Sequence, residues 1–210
     1  LFMFIKDIEF SSDVAEKSTL VAGVYSDGSL SASATWLDQK FHGEIVERMK
    51  KCDFSGKLFE TTSFVLSATD YNHIILVCLG EKSKKYTSLE LEKLGAVIYS
   101  SAAKLDKSIS ILLDKDDLNF EECPGCIAAI IAFGLTLKSW TFDKYKTKSN
   151  DKAKLEQIVF MTADPDESRT KFKQLKNLAE GIFLTREVVS EPANVIYPES
   201  LGHITEDELK

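Results

Sequence analysis

Apolar positions change period several times along this chain, and each change marks an element. Phe2, Phe4, Ile8 and Phe10 fall on one face of an extended segment, with Asp7 and Glu9 opposite, which predicts a first strand. Thr19–Tyr25 is apolar on both faces and predicts a central strand, closed by the turn residues Ser26-Asp27-Gly28-Ser29. Leu37, Phe41, Ile45 and Met49 recur at helical spacing and predict one helix, with Glu44, Glu47, Arg48 and Lys51 on its far side. Phe64–Leu66 and His73–Leu79 read as two strands separated by Asp70, Tyr71 and Asn72. Thr87 and Glu90 have the spacing of a capping box, and the helix they open turns Leu91, Leu94 and Ile98 inward.

Ile109–Leu113 is a further buried strand. Pro124 and Gly125 precede a helix from about Cys126 to Trp140 that is apolar nearly all round and therefore needs cover on most sides. Ile158–Met161 is the last strand. Asp164, Pro165 and Glu167 then have the pattern of a helix start, with a capping Asp and a Pro at the first helical position. Along that helix Phe172, Leu175, Leu178, Ala179, Ile182 and Phe183 trace one stripe. Pro192 stops it, Pro198 repeats the block, and the segment between them reads as a rigid extended entry around Asn194. Gly202-His203-Ile204 predicts a frayed end. Strands alternating with helices predict an α/β layered domain with a largely parallel or mixed sheet.

Composition narrows the class without naming a function. A chain of 210 residues, 44% hydrophobic and 28% charged, can bury a sizeable core. Its formal charge of −7 disfavours nonspecific binding to nucleic-acid phosphates or anionic lipid. Phe2–Ile5 is interrupted at once by Lys6, Asp7 and Glu9, so no signal peptide is read, and the run Cys126–Leu137 falls short of the roughly 20 residues a membrane span needs. Four cysteines, at 52, 78, 123 and 126, do not form a secreted disulfide framework, which makes a reducing, cytoplasmic setting the expectation.

Two stretches carry a family resemblance. Ala179-Glu180-Gly181-Ile182, then Arg186-Glu187-Val188-Val189 running into Glu191-Pro192-Ala193-Asn194 and Pro198, resembles the junction that opens the catalytic domain of the cytosolic leucyl aminopeptidases. Ser139-Trp140-Thr141-Phe142-Asp143-Lys144-Tyr145-Lys146 is similar to the segment that ends the apolar helix in the same family. The resemblance implies a macro-domain-like, three-layer sandwich with a mixed, largely parallel sheet flanked by helices. It also implies that residues 1–163 are the family's N-terminal domain, 164–190 a connecting helix and 191–210 the truncated start of the catalytic domain. The family uses two divalent metals, Zn or Mn/Mg, held by one Lys and several Asp and Glu in a segment like N-T-D-A-E-G-R-L, which does not occur here. The expected activity is therefore that of a cytoplasmic aminopeptidase acting on peptide substrates as a homohexamer, with this chain the non-catalytic domain beside its own catalytic domain. No catalytic, metal or binding residue is carried over.

Local chemistry offers few rivals. Cys123-Pro124-Gly125-Cys126 has the spacing of a redox pair or of half a zinc site, but Cys52 and Cys78 are isolated and Asn119-Phe120-Glu121-Glu122 stands where an apolar strand would precede a redox motif. A helix start with small residues and ordinary thiols is the expectation. His42, His73 and His203 are scattered without ligand spacing, and Asp116-Asp117 and Glu121-Glu122 read as a solvated loop. Lys138, Lys144, Lys146, Lys148, Lys152 and Lys154, interleaved with Trp140, Phe142 and Tyr145, form the one basic region. Asp143 and Asp151 dilute it, so nucleic-acid binding is the weaker reading. A stand-alone macro-like module for ADP-ribose or nucleotides is the other rival, but no G-x-G phosphate cradle is present.

Overall fold

The computed structural model describes residues 5, 7–15, 17–66, 71, 73–121, 123–147 and 155–208. Phe2, Phe4, Asp70 and Asn72 lie outside them. Strands β1 (Asp7–Ser11), β2 (Thr19–Val24), β3 (Thr61–Phe64), β4 (Ile74–Cys78), β5 (Ser108–Ile111) and β6 (Gln157–Met161) form one sheet in the order β1-β6-β5-β2-β4-β3. All neighbours are parallel except β3, which pairs antiparallel with β4 at the edge. The helices are α1 (Ala32–Lys40), α2 (Glu44–Met49), α3 (Ser88–Ala102), α4 (Ile127–Ser139), α5 (Pro165–Ser190) and α6 (Pro198–Glu208). This is the mixed, largely parallel α/β sheet that the alternation of elements implied.

The two faces follow from the period of a strand. In β2, Leu20, Ala22 and Val24 point to one side and meet Ala34 and Leu37 of α1 and Ile45 of α2. Val21 points to the other, into the larger core with Leu91, Leu94 and Ile98 of α3 and Ile127 and Ile131 of α4. β4 repeats the division with Ile74, Leu76 and Cys78 against Ile75 and Val77, and all of its residues are buried. A fully buried Leu or Ile stabilises by about 1.5–3 kcal/mol relative to its exposed form, so these two strands anchor both layers.

The α3–α4 contact needs two missing side chains. A Cβ on Gly95 would lie 2.1 Å from the Ile131 carbonyl oxygen, and one on Gly134 would lie 2.0 Å from that of Glu92. Backbone therefore rests on backbone, and α4 is buried at eleven of its 13 positions. The capping box forms as the spacing predicts: Thr87 Oγ1 accepts from the Glu90 amide at 3.3 Å, and Glu90 Oε2 accepts from the Thr87 amide at 3.0 Å.

Several expectations need correction. The helix through Leu37 and Met49 is two helices, because His42 and Gly43 take φ of 55° and 86° and turn the chain between them. Gly43 donates to the Asp38 carbonyl, and the Asp38 carboxylate accepts from Val46 of the second helix, so the break is hydrogen-bonded. Both halves still point their apolar residues at one core, which is why the spacing ran through. Asp164 stands at the start of α5 but caps nothing with its side chain, which pairs with Lys115 at 3.2 Å. The segment after Pro192 is a turn rather than an extended entry, with Val195 and Ile196 both donating to the Pro192 carbonyl. Gly202, His203 and Ile204 do not fray; they continue α6, which Pro198 starts, as suits a residue with no amide to leave unpaired.

Candidate functional site

Because β2, β4 and β5 run parallel, their carboxyl ends share one rim, the usual ligand crevice of an open α/β sheet. Here several of the chain's own side chains meet at this rim. Tyr25, just past β2, donates its hydroxyl to the Asp117 carbonyl at 3.2 Å. Tyr86 donates to the Leu79 carbonyl. Burial pushes both phenols up, Tyr25 further raised by Asp117 and Asp27. The Asp117 carboxylate accepts from the Ser33 amide at 2.9 Å and the Asp114 amide at 3.2 Å. Ser33 lies in the first turn of α1, so the amide a phosphate would use is already engaged by a carboxylate. Desolvation raises the Asp117 carboxyl while these bonds oppose it. Asp117 is thus a buried structural group and not part of a solvated loop; Asp116 and Glu121 are exposed, and Glu121 pairs with Lys85 at 2.8 Å.

Among the described residues of the basic stretch, Lys144, Tyr145 and Lys146 are engaged by carboxylates. Lys144 donates to Glu191 Oε1 at 2.5 Å and Tyr145 to Glu191 Oε2 at 2.5 Å; Lys146 pairs with Asp143. Lys144, and then Tyr145, hold the Glu191 carboxyl below the ordinary range. The Trp140 ring is taken too, with Phe142 stacked at 6.4 Å and the Arg186 guanidinium 5.7 Å from its centre. Lys138 is exposed, and Lys148, Lys152 and Lys154 lie outside the described residues. What these residues build is a joint: the segment after α4 grips the carboxyl end of α5 through Glu191, and Arg186 reaches back to the Leu137 carbonyl at 2.7 Å.

The third grouping is Cys123-Pro124-Gly125-Cys126, and here the expectation fails. The two cysteines form a disulfide around a 3-10 turn that leads into α4, with Cys126 as the cap residue. Cys52 and Cys78 are free. Glu167, in the first turn of α5, brings Oε1 to 3.6 Å from Cys123 Sγ, and the buried Ser168 hydroxyl donates to the Gly125 carbonyl at 2.9 Å. The ligand-type atoms of Cys123, Cys126 and Glu167 lie within 4.8 Å of one another. With both sulfurs bonded to each other, the group does not suit a cation, because the thiolate is the metal ligand. It also lacks the lysine and multiple carboxylates of a dimetal peptidase site, and among the described residues no other such grouping of His, Cys, Asp or Glu occurs. His42 and His203 are exposed, and His73, at the entrance to β4, has its Nδ1 buried without a partner.

Asp117, Glu167 and Glu191 escaped sequence reasoning as contact residues. Their partners lie 84, 44 and 47 residues away. Only Glu191 had a local signal, its place in the Glu-Pro junction.

The chain compares with known proteins as follows. The profile of the cytosol aminopeptidase family's N-terminal domain matches residues 21–149. A probable cytosol aminopeptidase of Wolbachia pipientis wMel is 31% identical over 196 residues, covering 91% of this chain and 36% of that protein. One from Ehrlichia ruminantium (strain Gardel) is 28% identical over 202 residues, covering 94% and 39%. The chain therefore spans about two fifths of the length of these relatives. Among solved structures, a tomato leucine aminopeptidase mutant superposes with a TM-score of 0.75 at 20% identity, over 97% of this chain and 42% of that one. The bottromycin maturation enzyme BotP in complex with Mn gives 0.64 at 15% identity, over 92% and 36%. These two likenesses are of fold.

Proposed function

Since the chain belongs to the cytosol aminopeptidase family through that family's N-terminal domain, we infer that it is the non-catalytic domain of a metal-dependent leucyl aminopeptidase that removes N-terminal residues from peptides. The observation that carries this reading is the pattern of coverage: 94% of this chain aligns with only 39% of a relative, so most of that protein has no counterpart here. In this reading residues 1–163 are the macro-like domain, 164–190 the connector and 191–210 the entry to the catalytic domain. The partner is the chain's own catalytic domain, which holds the two divalent cations and supplies the Lewis-acid chemistry. The full-length protein is a cytoplasmic homohexamer. Among the described residues no helix is long and apolar enough to cross a membrane.

Surface chemistry supports a covered connector. Val189 of α5 is 79% exposed, and Leu178, Tyr197 and Leu201 are exposed on α5 and around α6. Large apolar side chains left exposed along this segment suit a surface that another body covers.

The test is hydrolysis of leucine amides by the purified 210-residue chain with and without Mn or Zn. No turnover above buffer is expected with either metal. Metal-dependent release of leucine would overturn the reading.

A further inference from the structure

We propose that Cys123 and Cys126 form a reversible dithiol/disulfide site that exchanges electrons with external dithiols. Four features of the structure carry this, and none depends on the aminopeptidase reading.

The two sulfurs are unequal. Cys126 is 5% exposed, whereas Cys123 is half-buried at the surface, so a thiol arriving from solvent meets Cys123 first. Cys126 caps the amino end of α4, a helix of 13 residues, where the helix dipole stabilises a thiolate. One sulfur is therefore placed to be attacked and the other to leave.

A carboxylate is built against the pair. A Cβ on Gly125 would sit 1.9 Å from Glu167 Oε2, so the third residue of the motif must lack a side chain for Glu167 to rest there. A disulfide sulfur has no proton to give, so the 3.6 Å contact of Cys123 Sγ with Glu167 becomes a hydrogen bond only after reduction. Ser168, fully buried, ties the same turn to α5. An open cleft of about 430 Å³, lined by Cys126, Asp166, Glu167, Thr170, Lys171 and Gln174, borders the pair on its Cys126 and Glu167 side.

The exchange balances as a two-electron step. A thiolate of the incoming dithiol attacks Cys123 Sγ; the bond between the cysteines breaks and its electron pair departs on Cys126 Sγ, held at the end of α4. The second thiolate of the reductant then attacks its own sulfur in the mixed disulfide, closing the reductant's disulfide and releasing Cys123. Cys123 takes a proton and donates it in a hydrogen bond to Glu167. The net change oxidises one dithiol and reduces one disulfide, with two protons passing to the protein's sulfurs. In reverse, Glu167 accepts the Cys123 proton as that sulfur attacks an external disulfide, and Cys126 resolves the product.

The experiment equilibrates the full, folded chain in buffers of stepped reduced-to-oxidised dithiothreitol ratio. Free thiols are then blocked with a maleimide, and the peptide spanning 123–126 is read by mass spectrometry. We expect one reversible two-thiol transition at these positions, with circular dichroism unchanged and with Cys52 and Cys78 labelling independently of the ratio. Cys126→Ser should trap a mixed disulfide with oxidised glutathione through Cys123. Cys123→Ser should react about tenfold or more slowly, since its remaining thiol is buried. Glu167→Gln should shift the pH profile of Cys123 labelling without changing circular dichroism. The wild-type titration needs no substitution and stands even if a cysteine variant fails to fold. The proposal is overturned if the pair stays as two free thiols at every ratio, if it is reduced only on unfolding, or if the reduced protein retains one equivalent of zinc and does not reoxidise.

Discussion

α4 and α5 lie against each other and yet are stabilised in opposite ways. α4 buries eleven of its 13 residues, while α5 buries Ser168, Ala179 and Phe183 out of 26. The first is held by apolar contact on nearly every side and by backbone approach to α3. The second is held along one face, Phe172 and Leu175 against the main core and Ala179 and Phe183 beside Phe133, and by polar ties. Those ties include Ser168 to Gly125 and Arg169 to the Phe10 carbonyl near the amino end, and Arg186 to the Leu137 carbonyl and the Lys144–Glu191–Tyr145 joint near the carboxyl end. α5 is packed on one face and leaves Leu178 and Val189 exposed, whereas α4 is covered on nearly every side.

That contrast can be broken or sharpened by substitution. The largest effect is expected for Phe183→Ala, which empties the one large buried position on α5 and should cost about 3 kcal/mol or more by denaturant unfolding. Should the loss stay below about 1 kcal/mol, α5 is not docked as described. Gly134→Ala follows: its methyl would sit 2.0 Å from the Glu92 carbonyl oxygen, forcing α3 and α4 apart at a cost of about 1–3 kcal/mol. An unchanged midpoint would mean that the two backbones do not touch.

The next expectation concerns pH. The Glu191 carboxyl is depressed when folded, so its contribution is complete above the ordinary carboxylate pKa and is lost as pH falls through the lower, folded value. Acid should therefore increase hydrogen exchange at the carboxyl end of α5 before it does so in α4, and Glu191→Gln should remove the acid-dependent part. Simultaneous loss of protection in both helices would contradict this. The smallest effect belongs to Leu178→Ala, expected within about 0.5 kcal/mol of the parent because the side chain is 55% exposed.

Much of the architecture was legible because period and burial agree locally. Leu20 to Val24 lack a polar face, and so the strand had to be central. Thr87 and Glu90 satisfy each other within one turn of helix, so that start could be read without any partner. The break at Gly43 was not legible, because Leu37, Phe41, Ile45 and Met49 keep helical spacing across it while the backbone between them turns. The disulfide was missed for a different reason: the residues before Cys123 argued against a redox motif, and the features that support one, Glu167 and Ser168, belong to a helix that begins some forty residues later.

By itself, then, the sequence determined most of the elements, their order and the two-sided burial of β2 and β4, along with a family resemblance carried by the Trp140 and Glu191 stretches. Those properties depend on neighbours within a turn or two of chain, where spacing is geometry. Only the tertiary structure decided which carboxylate faces which partner: Asp117 on the α1 amides, Glu191 on Lys144 and Tyr145, Glu167 on the cysteine pair. A long-range polar contact leaves no period in the chain. It exists because packing of the apolar layers brings two distant segments to one place.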